Sequence, residues 1–124
     1  VTKVMASQGT SGLTRLVKAT QFSWKGLKAT FANEQAFRQE VYLSIVLIPL
    51  ALYLGENGLE RALLVSVVLL ILVIELINSG IEAIVDRVST EYHELSGRAK
   101  DIGSAAVLLS LINAAIVWAL VIIK

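Results

Sequence analysis

Apolar residues along this chain fall into one stretch with helical period and three long continuous runs. Leu13, Leu16, Val17, Thr20, Trp24, Leu27 and Phe31 recur at three- and four-residue steps, while Arg15, Lys18 and Lys25 fall on another face. This predicts a basic amphipathic helix over 13–33, with Thr10 or Ser11 available to cap it, and such a helix lies along a membrane surface. Residues 1–12, small and polar without periodicity, are expected to form a disordered tail. Beyond the first helix the pattern becomes continuous. Between Asp101 and Lys124 every residue is uncharged, a run that at ~1.5 Å per residue matches the ~30 Å hydrocarbon thickness of a bilayer. Between Arg61 and Asp86 the only charges are Glu75 and Glu82, and the run is long enough to span if those two carboxylates are tolerated. The first run, residues 41–55, is short for a span. Ala36 and Phe37 extend it if Arg38, Gln39 and Glu40 sit at the interface, and Pro49 is expected to kink it. The predicted spans are therefore 36–54, 60–86 and 101–123, joined by a tight turn at 56–60 and a polar loop at 86–101.

Composition agrees with a membrane protein of a single domain: 124 residues, 56% hydrophobic and 17% charged, with mean hydropathy +0.72. A net charge of +1 gives no reason to expect a nucleic-acid partner. Without cysteine there is no disulfide framework, thiolate metal site or cysteine nucleophile, and one histidine, His93, cannot build a histidine-rich site. The residues ahead of the first run are mixed and basic, so no cleavable signal peptide is expected and the helices themselves direct insertion. Lysine and arginine sort as six in residues 1–40, one in the first turn (Arg61), three in the second loop (Arg87, Arg98, Lys100), and Lys124. The positive-inside rule then places the N-terminus and the second loop in the cytoplasm and the short turn outside.

The second span carries a polar stripe that changes this picture. At roughly 100° per residue, Asn78, Ser79, Glu82 and Asp86 all fall within about 60° of Glu75 around the helix, Glu82 and Asp86 closest to its line. The ladder rises about 16 Å, from well inside the bilayer to its surface. A charge at the bilayer centre costs at least ~2.5 kcal/mol, so these groups should face protein, water or an ion. Hydrogen-bonded glue between helices needs one amide; two glutamates on one line of the helix favour chemistry or ion handling. Ser79, Gly80 and Ala83, with Ala99, Gly103 and Ala106 on the third span, are small residues that let helices approach. Three helices cannot enclose such a stripe on every side, so an oligomer is expected. Carboxylates and an amide near a surface suit Mg²⁺, which shares oxygen ligands with phosphates. Glu34 lies across the boundary from Glu82, and the loop EYHELSGRAKD brings Glu91, His93, Glu94, Arg98, Lys100 and Asp101. No Walker motif and no protein-kinase motif set is present.

The segments ELINSGIEAIVDR and EYHELSGRAKDIGSAAV closely resemble the prokaryotic integral-membrane diacylglycerol kinase family, and SWKGLKATFANEQAFRQE resembles that family's surface-helix region. The similarity covers roughly residues 12–120. It implies an all-α membrane protein, a homotrimer of subunits with three transmembrane helices and an amphipathic surface helix. It also implies sites shared between neighbours and transfer of the γ-phosphate of ATP to diacylglycerol, with Mg²⁺ on the nucleotide and membrane lipids around the chain. Carried over on that resemblance, Glu75 is the general base, Asn78 supports the reacting centre, and Glu34 and Glu82 hold the metal on ATP. Lys100 and Asp101, with Glu91, Tyr92 and His93, hold the nucleotide, joined by Arg15 and Phe22. Ser23, Trp24, Arg38, Gln39, Glu40 and Ser104 line the lipid path, and Asp86 joins the polar network. Two positions depart from the family pattern, Phe22 for a tyrosine near the nucleotide and Tyr53 for a tryptophan. Phe22 keeps stacking and loses a hydroxyl.

Two other readings compete. Undecaprenol kinase has a similar core and a polyprenyl acceptor, although the full GRAKDIGSAAV favours diacylglycerol. An ion- or proton-pathway subunit would carry acids along a whole span, whereas here they stop at Glu75 and residues 62–74 are clean.

Overall fold

The computed structural model describes residues 11–123 as four helices: α1 (Gly12–Asn33), α2 (Gln35–Leu54), α3 (Gly58–Val88) and α4 (Glu94–Ile123). Of the predicted tail, residues 1–10 lie outside the described residues. Ser11 caps α1 by accepting the Thr14 amide at 3.2 Å, so the helix starts at Gly12. Three helices, α2, α3 and α4, are long and apolar enough to cross a membrane. With no strand among the described residues, this is an all-α membrane chain.

The joints explain the order. α1 and α2 are separated by one extended residue, Glu34, at φ −118° and ψ 109°, whose amide closes the last turn of α1 on Thr30 O at 2.8 Å. α2 runs through Pro49 without ending, to Leu54. The turn into α3 is closed by Asn57, whose side chain accepts the Glu60 amide at 2.9 Å, while the Glu60 carboxylate accepts the Glu56 amide at 2.9 Å. This is a reciprocal cap of the capping-box kind. Gly55 is needed there because a β-carbon on it would meet the Arg61 backbone nitrogen at 2.9 Å. Arg61 in turn donates to Leu52 O at 3.1 Å, tying the two helix ends together.

The second loop is much shorter than the sequence suggests. α4 begins at Glu94, well before the expected Asp101, leaving only 89–93 between helices. The cause is His93, whose Nδ1 accepts the Leu95 amide at 3.1 Å and so caps the helix. Half of the polar loop is thereby the opening turns of α4.

α3 is the central element, with Leu64, Val67, Val68 and Ile71 buried near its Gly58 end. Val67 and Ile71 pack with Ala114, Val117 and Trp118 of α4, and Trp118 Nε1 donates to Leu64 O at 3.2 Å. Ser44 and Ser110, buried in α2 and α4, return their hydroxyls to Val41 O and Val107 O at 2.7 Å, which leaves the packing between helices without loose donors at these points. α1 has no buried residue of its own.

Candidate active site

Toward the Val88 end α3 changes character. Glu75 is 5% exposed and Asn78 is 8% exposed, so both groups are enclosed by protein rather than turned outward. What encloses them is specific. The carboxyl of Glu40, in the second turn of α2, meets the carboxyl of Glu75. Gly103 of α4 packs on Asn78, where a β-carbon would collide with the amide oxygen. The small residue expected from the sequence at this crossing is thus explained: α4 can approach only because Gly103 has no side chain. Two buried acceptors, Glu40 Oε2 and Asn78 Oδ1, find no donor in the chain. Buried acceptors without donors are uncommon in folded proteins and mark places where a ligand or water completes the set.

Further along the same helix, a second pair forms. The Glu34 carboxylate, at the α1–α2 break, meets Glu82 of α3, and Ser79 donates its hydroxyl to Glu34 Oε1 at 3.3 Å. Lys100 of α4 reaches Asp86 at 2.7 Å and acts electrostatically on Glu82. Two carboxylates held face to face repel unless a proton or a cation comes between them. Among the described residues no group of three or more His, Asp, Glu or Cys assembles. The pair is therefore not a closed cage. It fits a hard cation such as Mg²⁺, which binds through one or two carboxylates and takes its remaining oxygens from water and phosphate.

Three cavities flank these pairs. One of about 660 Å³ is almost wholly apolar and lies between α1, α2 and α3, lined by Trp24, Leu27, Phe31, Phe37, Leu72 and Leu76 among others. Another, of about 540 Å³, runs along Ser23, Gly26, Thr30, Ser79, Gly80 and Ala83. Gly80 and Ala83, expected to admit a neighbouring helix, are exposed and border this groove opposite Gly26 and Thr30 of α1. A smaller polar cavity of about 200 Å³ is lined by Asp86, Glu91, Tyr92, His93, Ser96 and Lys100 at the α3–α4 loop.

The fold thus brings together Glu40 with Glu75, Glu34 with Glu82, and Glu91, Tyr92, His93 and Lys100. Other residues singled out by sequence stand apart. Arg15, Phe22, Gln39, Asp101 and Ser104 are exposed and do not line the loop cavity. Ser23 lines the second cavity and returns its hydroxyl to Ala19 O at 2.8 Å. Trp24 lines the apolar cavity, with Lys28 Nζ 6.0 Å from its ring. Arg38 spends its guanidinium on the end of α1, donating to Phe31 O at 2.9 Å and Ala32 O at 3.0 Å. Sequence reasoning takes Ser79 for a packing residue and misses its bond to Glu34; the available signal is its place on the acidic stripe. It also passes over Asn113, an exposed amide in the apolar run of α4.

Comparison with known proteins supplies the remaining constraint. A family model described as "Prokaryotic diacylglycerol kinase" matches residues 21–122. A protein named diacylglycerol kinase from Escherichia coli (strain K12) is 51% identical over 112 residues, covering 90% of this chain and 92% of its own length. Relatives of the same name from Haemophilus influenzae (53% over 109 residues, covering 88% and 92%) and Pseudomonas aeruginosa (49% over 116 residues, covering 94% and 94%) are similar over comparable lengths.

Proposed function

The chain belongs to the prokaryotic diacylglycerol kinase family, and from that membership and the paired carboxylates we infer how it moves the γ-phosphate of ATP to the hydroxyl of diacylglycerol. It is a bacterial membrane enzyme, an ATP-dependent lipid kinase, and the polyprenol and ion-pathway readings are not favoured. The observation that carries the mechanism is the position of Glu75, buried beside Glu40 and next to Leu76, which lines the apolar cavity. An acyl chain suits that cavity, and its glycerol hydroxyl then lies near Glu75.

Glu75 accepts the hydroxyl proton as the lipid oxygen forms its bond to the γ-phosphorus and the bond to the bridging oxygen of ADP breaks. Glu40 and Asn78 offer their unpaired acceptors to hydroxyl or polar groups of the substrates around that point. Glu34 and Glu82 would hold Mg²⁺ on the nucleotide, and the chemistry it would supply there is neutralisation of phosphate charge that otherwise meets this acidic surface. Lys100 supplies a cation at the same end, and Glu91, Tyr92 and His93 form a polar recess for the nucleoside, to which Asp101, Arg15 and Phe22 belong in the full assembly. Trp24, Ser23, Gln39 and Ser104 line the lipid's approach.

The assembly is a homotrimer with sites shared between subunits. What supports this is the amount left uncovered in one chain: Asn113, an amide midway along α4, is exposed at a depth where an amide is costly to leave in lipid. The exposed α1 residues likewise need a neighbour to become part of a site. In this reading α1 lies on the cytoplasmic surface of the inner membrane and the 55–57 turn faces the other side.

Phosphate transfer from labelled ATP with Mg²⁺ to diacylglycerol and to undecaprenol, compared in mixed micelles, tests the reading. Labelled phosphatidate is the expected product. Labelled undecaprenyl phosphate alone would move the assignment to the polyprenol acceptor.

A further inference from the structure

Of the four acids that form the two carboxyl pairs, Glu34 alone has no helix to hold it. It is the one extended residue between α1 and α2, so its carboxylate could be aimed in many directions. Its direction must be set by neighbours, and two of them do so from opposite sides.

Arg38 acts on the backbone. Its Nη1 donates to Phe31 O and Ala32 O, carbonyls in the last turn of α1 that lack helical partners of their own. Its own amide bonds Glu34 O at 3.2 Å in the first turn of α2. One residue therefore fastens both sides of the break and fixes the angle at which Glu34 leaves it. Ser79 acts on the side chain, with its hydroxyl on Glu34 Oε1 at 3.3 Å, one turn before Glu82 on the same helix. A bond from α3 to Glu34 at that register turns the carboxylate toward Glu82.

We infer that Arg38 and Ser79 are positioning residues for the cation end of the site, Arg38 setting the elbow and Ser79 the carboxylate orientation. This rests on the proposed reading of Glu34 and Glu82 as a cation pair. Mg²⁺ demands near-ideal placement of its few protein ligands, so loss of an outer partner lowers metal affinity by roughly 10- to 100-fold.

The test uses the full-length oligomer in lipid nanodiscs, with Mn²⁺ as the probe and a non-hydrolysable ATP analogue present, reading free Mn²⁺ by electron paramagnetic resonance. Ser79→Ala is expected to weaken Mn²⁺ binding about tenfold, Ser79→Thr to restore it, and Arg38→Gln to weaken it in the same direction. The KM for diacylglycerol should stay within about twofold in all three. Unchanged Mn²⁺ affinity in Ser79→Ala would overturn the inference. So would a threonine variant as weak as the alanine one, which would make Ser79 a packing residue, or an Arg38→Gln that raises only the lipid KM. If Arg38→Gln does not fold, the two Ser79 variants decide. Glu34→Gln and Glu82→Gln proteins that still bind Mn²⁺ like the parent would remove the cation site itself, and this inference with it.

Discussion

The two halves of α3 are built from the same helix yet solve opposite problems. Near Gly58 it buries Leu64, Val67, Val68 and Ile71, and meets α4 through side chains and one indole-to-carbonyl bond. Near Val88 it buries Glu75 and Asn78, borders open cavities, and leaves acceptors without donors. In lipid there is little hydrophobic gain from helix association, so the first half must be held by close packing. The second half gives up that packing to gather charge. Stability and chemistry are thus separated along one axis, and substitutions should separate them too.

The largest effect should come from the polar half. Glu75→Gln keeps shape and removes the proposed base, and is expected to lower phosphatidate formation by roughly 10²–10⁴-fold. ATP-analogue binding and the thermal unfolding midpoint should stay near the parent's values, and retained turnover would remove Glu75 as the base. Glu82→Gln comes next: the Mg²⁺ concentration for half-maximal transfer should rise by more than about tenfold, which a metal titration of initial rates would read.

In the packed half the order of effects reverses. Leu64 is fully buried, and Leu64→Ala is expected to cost about 2 kcal/mol in unfolding free energy while leaving the KM for both substrates unchanged. Unfolding in mixed micelles would measure the first and steady-state kinetics the second; a raised lipid KM would show that the halves are coupled. The smallest change belongs to Trp118→Phe, which keeps an aromatic ring against Val67 and Ile71 but loses part of the indole's volume and its bond to Leu64 O, the bond alone being worth about 0.6 kcal/mol.

Much of this division is legible in the sequence because it is written in two simple signals. Continuous apolar runs mark three spanning helices, and acids at helical spacing mark the ladder from Glu75 to Asp86. Pairing partners are harder. Glu40 sits at the start of a span, where a carboxylate reads as an interfacial anchor, and only the crossing of α2 with α3 puts it on Glu75. Ser79 reads as a small packing residue, and its bond to a residue 45 positions away has no local signature. The early start of α4 is hidden for a different reason: histidine is an uncommon cap, so His93 looks like a loop residue. Arg15, on the exposed helix α1, does not reach the loop cavity within this chain, and no spacing in the sequence says what it meets.

Helix length has a last consequence. α3 has 31 residues, about 46 Å of rod in a bilayer with ~30 Å of hydrocarbon. With the Gly55 turn resting at the far interface, the stretch from Gly58 to Glu75 acts as a ruler about 26 Å long. On the proposed reading of Glu75 as the base, its carboxyl then sits a few ångströms beneath the near surface, at the level of a lipid's glycerol. A thicker membrane would draw the hydroxyl away from it and a thinner one would lift it into the headgroups. The bilayer's own thickness thereby becomes a setting of the enzyme.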